Sequence, residues 1–114
     1  MLLDKIIEGI QVVKGEDISI INLEDNTNFI CDYFVICNGE SHNQVYAISQ
    51  SIEKITIDKL KEKPWHIEGL KNKEWILVDY ISIVVHIFKK QLRSYYNIEN
   101  LWNKNSQKKI RQNL

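Results

Sequence analysis

Asp79 and His86 are the residues whose types and setting first suggest chemistry. With Ser82 they are the only polar interruptions in WILVDYISIVVHIF, Trp75 to Phe88, an otherwise apolar run. A carboxylate that orients an imidazole is half of a general-base device, and a turn at Tyr80 to Ser82 would bring the two onto opposed strands where they could share a face. The other half is missing, because no Ser or Cys is placed as a nucleophile. The plainer reading, in which each satisfies buried backbone at a strand end, is the one the residues favour.

Other candidates for chemistry are weaker. Gly39-Glu40-Ser41 stands between an apolar run and a capped helix, a place where backbone amides could hold a phosphate, but one glycine matches neither the Walker nor the dinucleotide spacing. A turn followed by a helix cap accounts for it. His42, His66 and His86 have no carboxylate or cysteine at ligand spacing, so neither a metal site nor any cofactor is expected. Trp75, Tyr80, Tyr95, Tyr96 and Trp102 are more concentrated than a core of this size requires, and aromatics of this kind are enriched where proteins meet. Lys104, Lys108, Lys109 and Arg111 could touch phosphate, although without a stacking platform they read as non-specific help to a larger contact.

The elements that position these residues follow from periodicity. Leu2, Leu3, Ile6, Ile7, Ile10 and Val13 recur at helical spacing, with Gly15 where a left-handed cap would end the helix. Asp17 to Leu23 reads as a strand, residues 24–28 as a turn, and residues 29–37 as an interior strand. Ser41 and Gln44 form a capping box for a helix whose core stripe is Val45, Ile48, Ile52 and Ile55, and Pro64 forbids its continuation. Trp65 to Glu68 is a short strand, and Gly69 opens a turn that ends near Glu74. Trp75 to Phe88 is too short for a membrane span and too long for one strand, so it should break near Tyr80 to Ser82 into two core strands. A helix from Lys89 to about Tyr96 follows. The order predicts an α/β (α+β) fold with a mixed, roughly five-stranded sheet flanked by helices. Residues 1–103 form one domain, and 104–114, with four basic and no acidic residues, read as a flexible basic tail.

The totals agree with one globular domain: 114 residues, 44% hydrophobic and 26% charged, with zero net charge. That charge is unevenly placed. Residues 1–57 hold three Lys against nine acids, and residues 58–114 hold twelve Lys and Arg against six, or minus six followed by plus six. Cys31 and Cys37, six apart on one strand, would share a face about 20 Å apart, beyond any disulfide, and read as buried thiols of a reducing compartment. MLLDKIIEGI shows neither a signal peptide nor a membrane anchor, so a cytoplasmic protein is expected.

Several stretches, in order, resemble the bacterial and organellar Iojap proteins, also called ribosomal silencing factors: DYFVICNGESHNQV at 32–45, EGL at 68–70, EWILVDYISIVVHIF at 74–88 and RSYYNIENLW at 93–102. The resemblance implies a nucleotidyltransferase-like fold used for binding. It implies attachment to large-subunit ribosomal protein fourteen, steric block of small-subunit joining, repression of translation under nutrient starvation, and a possible homodimer when free. Carried over residue by residue, it gives a partner-binding set of Trp75, Asp79, Tyr80, His86, Arg93, Tyr95, Tyr96, Leu101 and Trp102, while Ile76, Val78, Ile83, Val85 and Ile87 remain core. Ile81-Ser82 stands where the family usually has Gly-Asp, so the glycine of a positive-φ turn and an acidic contact are both absent. Glu40 replaces a common Thr. The alternative, a magnesium-dependent nucleotidyltransferase-like enzyme, needs two or three gathered carboxylates, and the assigned strands carry only Glu68 and Asp79, singly.

Overall fold

The computed structural model describes residues 1–24 and 31–101 in full and the backbone of 107–110. Its elements are α1 (Leu2–Val12), β1 (Glu16–Asn22), β2 (Tyr33–Gly39), α2 (His42–Leu60), β3 (His66–Glu68), β4 (Trp75–Asp79), β5 (Ile83–Lys89), α3 (Lys90–Tyr96), a 3-10 turn (Ile98–Leu101) and β6 (Gln107–Ile110). The strands form one mixed sheet in the order β3-β4-β5-β2-β1-β6. Only β2 and β5 run parallel, and the capped α2 lies in the connection between them. β6 pairs antiparallel with β1, Ile18 opposite Ile110. Four residues of the stretch expected to be a flexible tail are therefore a sixth strand.

Register decides what each strand shows to each side. Ile76 and Val78 of β4 oppose Ile87 and Val85 of β5, which lie beside Cys37 and Val35 of β2. These side chains, with Ile83, are buried under α1 and α2 with Ile6, Ile10, Val45, Ile48 and Ile52. The five residues expected as core are all within it. The opposite side carries Trp75, Leu77, Phe34, Val84, His86 and Phe88. There Ile21, Leu23, Cys31, Ile36 and Phe88 form a second cluster, closed by Leu92 of α3 and Ile98 of the 3-10 turn.

The two cysteines are free and buried, but they sit in different clusters, Cys31 on the α3 side and Cys37 on the α1/α2 side. The expected shared face fails because β2 begins at Tyr33, so Cys31 precedes the regular alternation. Burial pushes the Cys37 thiol up to about 12. The left-handed residue after α1 is Lys14, at φ 61, rather than Gly15. Gly15 is needed for space, since a Cβ there would meet Ile10 Cγ2 at 2.5 Å.

Ser41 Oγ accepts from Gln44 N–H at 3.1 Å, and Gln44 Oε1 accepts from Glu40 N–H at 2.7 Å, which completes the expected box one residue upstream. Gln44 Nε2 also donates to the Lys14 carbonyl at 3.0 Å, tying α2's start to the end of α1.

The break between β4 and β5 falls at Tyr80 to Ser82, and Ile81 takes φ 73 despite its branched Cβ. Four hydrogen bonds impose that conformation. Asp79 Oδ1 accepts from Ile81 N–H at 2.7 Å; Ser82 N–H donates to Tyr80 O and Tyr80 N–H to Ile83 O, each at 2.9 Å; Asp32 N–H donates to Ser82 O at 2.7 Å. The missing glycine therefore leaves strain rather than a different turn. A β-branched residue at positive φ costs about 1–2 kcal/mol, and glycine's extra unfolded-state entropy returns part of that. Ile81 is exposed, so little burial is lost, and Ile81→Gly should stabilise the protein by about 0.5–1 kcal/mol, read as a rise of a few degrees in Tm. An unchanged or lowered Tm would show the turn to be unstrained.

Candidate partner-binding surface

Trp75 lies at the start of β4, opposite Phe88 of β5. Its indole packs on Phe88 (centroids 4.8 Å apart) and on Tyr96 of α3 (4.8 Å), and Tyr95 meets Tyr96 edge-on at 5.2 Å. The rings run from core to surface: Phe88 is fully buried, Trp75 half-buried, and Tyr96 and Tyr95 are 44% and 78% exposed; Leu101 of the 3-10 turn is 71% exposed. Beyond Trp75 the same side of the sheet presents Leu77, Phe34 and Val84, all half-buried, with Asp79 at the end of β4. The result is an apolar strip with an aromatic end, the kind of surface that excludes water when a second protein covers it.

Three of the expected contact residues are buried or engaged within the fold. Tyr80 is 6% exposed within the α1/α2-side core, and its hydroxyl pairs with Thr56 Oγ1 at 2.8 Å. Burial pushes that phenol up to about 12. It faces the helices because it continues the alternation that places Ile76 and Val78 on that side and Trp75, Leu77 and Asp79 on the other. His86 is on the expected side but 6% exposed. Arg93 is an internal clamp. Nε donates to Glu99 Oε1 at 2.8 Å, Nη2 to Glu99 Oε2 and Ser19 Oγ at 3.0 Å each, and Nη1 to Asn38 Oδ1 at 2.8 Å and to the Asp17 carbonyl. With side chains only 12% and 13% exposed, Arg93 and Glu99 rivet α3 and the 3-10 turn onto β1 and β2. Tyr80 and His86 are thus buried, and the Arg93 guanidinium is engaged within the chain. Trp102 lies outside the described residues, as does the turn expected at 24–28 beyond Glu24.

Asp79 and His86 do share a face, yet they form no pair. Asp79 opposes Val84 and His86 opposes Leu77, and the carboxylate is occupied by Ile81 N–H. The His86 ring instead accepts from Trp75, Nε1–H to Nδ1 at 3.2 Å, with Phe34 edge-on at 4.8 Å. Accepting at Nδ1 places the neutral ring's proton on Nε2, which is buried without a hydrogen-bond partner. Among the described residues no three His, Cys, Asp or Glu side chains gather closely enough to hold a metal ion, and no helix is long and apolar enough to cross a membrane.

Burial holds His86 at a pKa of about 4, below its ordinary 6.5. The unfolded chain therefore takes up this proton first as pH falls. The contribution is complete above about pH 6.5 and is lost progressively toward pH 4, a total on the order of 3 kcal/mol. Thermal melts of the protein and of His86→Phe across that window should show the steeper acid loss in the former. Parallel curves would mean that the ring does not titrate below its unfolded value.

Two apolar positions escaped the sequence reading. Trp65, 72% exposed, leads into the edge strand β3, and Phe34 belongs to the strip. The signal for the strip was in β4, where Trp75, Leu77 and Asp79 alternate with Ile76 and Val78 and too few helices remain to cover both sides.

The chain matches the family "Ribosomal silencing factor during starvation" over residues 2–114. It is 42% identical over 89 residues to the ribosomal silencing factor RsfS of Bacillus subtilis, covering 78% of this chain and 74% of that one. It is 28% identical over 102 residues to the mitochondrial assembly of ribosomal large subunit protein 1 of Mus musculus, covering 88% of this chain and 44% of that longer protein. A crystal structure from Bacillus halodurans superposes with a TM-score of 0.79 at 30% identity, over 96% of each chain. By sequence and fold together, this chain belongs to the ribosomal silencing factor family, which includes the Iojap-related proteins.

Proposed function

We propose that the protein binds the large ribosomal subunit through large-subunit ribosomal protein fourteen and blocks joining of the small subunit by occupying the joining face. The family's role is ribosome silencing, and the mouse relative's name places that protein in large-subunit assembly. The observation that carries the reading here is the apolar strip of Phe34, Leu77 and Val84, which leads through Trp75 to exposed Tyr96 and Tyr95, with Leu101 exposed in the 3-10 turn that follows α3. Such a surface supports binding without turnover. Asp79 supplies one carboxylate already committed to the turn, which favours occupancy over phosphoryl transfer.

The same surface, when free, suits self-association into a homodimer. The basic residues beyond 103 suit peripheral contact with ribosomal RNA. A cytoplasmic setting and use during starvation complete the proposal.

The test is a sucrose gradient with purified large subunits, small subunits and the protein. Joined particles should decline as protein is added, with the protein comigrating only with large subunits. Undiminished joining at saturating protein would refute the block, and comigration with small subunits would refute the partner. Incubation with magnesium and nucleoside triphosphates should give no turnover, and turnover abolished by Asp79→Asn would establish the enzyme instead.

A further inference from the structure

We infer that His86 is a positioning residue for this docking surface: its Nδ1 holds the Trp75 indole N–H and thereby sets that ring against Phe88 and Tyr96. The inference rests on the docking reading above and assigns a role that the docking reading leaves empty, since His86 itself is too buried to touch a partner.

The neighbourhood explains why an imidazole stands there. His86 lies between Leu77 of β4 and Ile36 of β2, on a strand whose other residues up to Phe88 are aliphatic or aromatic. An aliphatic side chain would fill that place without burying polar nitrogens, and among the described residues Nε2–H finds no acceptor. Among the described residues, the ring's hydrogen bond is the one from Trp75 at 3.2 Å. That bond works on a side chain that needs it. An indole has a broad torsion about its ring bond, and Trp75 is packed on Phe88 and Tyr96 but half-open to solvent, so packing alone leaves more than one ring orientation. A fixed acceptor beneath the indole N–H selects one. Tyr96, and through it Tyr95, then stacks on a platform whose orientation is set from inside the sheet. Preorganising the aromatic anchor removes an ordering cost that binding would otherwise carry.

Two substitutions separate this role from simple packing. His86→Phe keeps the ring volume and loses the acceptor. His86→Asn leaves a gap but offers an amide oxygen close to the position of Nδ1. If His86 only fills space, Phe should serve better than Asn. If it positions Trp75, Asn should serve better than Phe.

Affinity for isolated large subunits should fall about tenfold in His86→Phe and stay within about threefold of the parent in His86→Asn. In the free protein, the Trp75 indole N–H resonance, assigned by its loss in Trp75→Phe, should shift and exchange faster with water in His86→Phe and be restored in His86→Asn. Adding His86→Phe to Trp75→Phe should cost no further affinity, because the donor is already gone. Parent-like affinity in His86→Phe, equal losses in the Phe and Asn variants, or multiplied losses in the double variant would each overturn the inference. Failure of the parent protein to bind large subunits would instead refute the docking reading, and the indole resonance would still report whether His86 holds Trp75. Should His86→Phe not fold, Trp75→Phe/His86→Asn against Trp75→Phe gives the same comparison: any gain from Asn without the indole donor also overturns it.

Discussion

Arg93→Ala should lower the stability of the protein by about 3 kcal/mol, near the lower end of what removing one partner from a buried, hydrogen-bonded ion pair costs. The guanidinium meets Glu99 with two parallel bonds and also reaches Ser19, Asn38 and the Asp17 carbonyl. Its removal takes both of its bonds from the Glu99 carboxylate, 13% exposed, which also accepts from the Ser19 hydroxyl at 2.9 Å. Asn38, 1% exposed, is left with its Nδ2 bond to Glu16 at 3.3 Å. Part of the clamp is open to water, which keeps the cost from the top of that range. Urea unfolding measures it, and Arg93→Lys should recover less than half, because an ammonium cannot reproduce the paired bonds to Glu99. The hydrogen-exchange pattern is the sharper readout. Amides of α3 and the 3-10 turn should lose protection before those of β2 and β5. Uniform loss across the sheet would show that the clamp supports the whole fold rather than docking this one segment.

Tyr95→Ala combined with Leu101→Ala should leave stability within about 0.5 kcal/mol of the parent while weakening binding to large subunits by thirtyfold or more, the loss expected when an aromatic hot spot of roughly 2 kcal/mol is removed. Both side chains are mostly exposed, at 78% and 71%, so truncation removes contact area without opening a core cavity. Trp75 is a poorer probe. Its N–H is bonded to buried His86 and its ring packs on fully buried Phe88, so a charged replacement would disturb the sheet as well as any interface. Unchanged binding in the double variant would move the contact off the α3 end, leaving the strip of Phe34, Leu77 and Val84 to carry it. Leu77→Lys would then be the decisive substitution, since Leu77 is half-buried on the strip side and an ammonium there meets a partner rather than the helices.

Much of the architecture was legible from residue order. The helical spacing of Ile6 and Ile10, the Ser41-Gln44 cap, and the impossibility of one strand from Trp75 to Phe88 are short-range facts, set by side-chain periodicity and backbone hydrogen bonding within a few residues. They placed α1, α2 and the β4/β5 break, and the buried set Ile76, Val78, Ile83, Val85 and Ile87. Even Ile81 follows this rule in part: the turn's position could be read, although its positive φ, imposed by bonds from Asp79, Ser82 and Asp32, could not.

What only the tertiary structure decided is which side of the sheet each polar or aromatic residue faces and what waits there. An arginine and two tyrosines in RSYYNIENLW are alike in any local reading. Arg93 is internal because Ser19, 74 positions away, and Asn38, 55 away, come together beneath it through strand pairing. Tyr80 is internal because it shares the side of Ile76 and Val78, where α2 brings Thr56, 24 positions earlier, against its hydroxyl. His86 looked like a candidate for chemistry or contact until the β4/β5 register placed Trp75 close enough to donate to it. Local preferences repeat every two or 3.6 residues and carry no information about partners so distant along the chain. Strand register supplies it, because a shift of a single residue exchanges the two faces of the sheet.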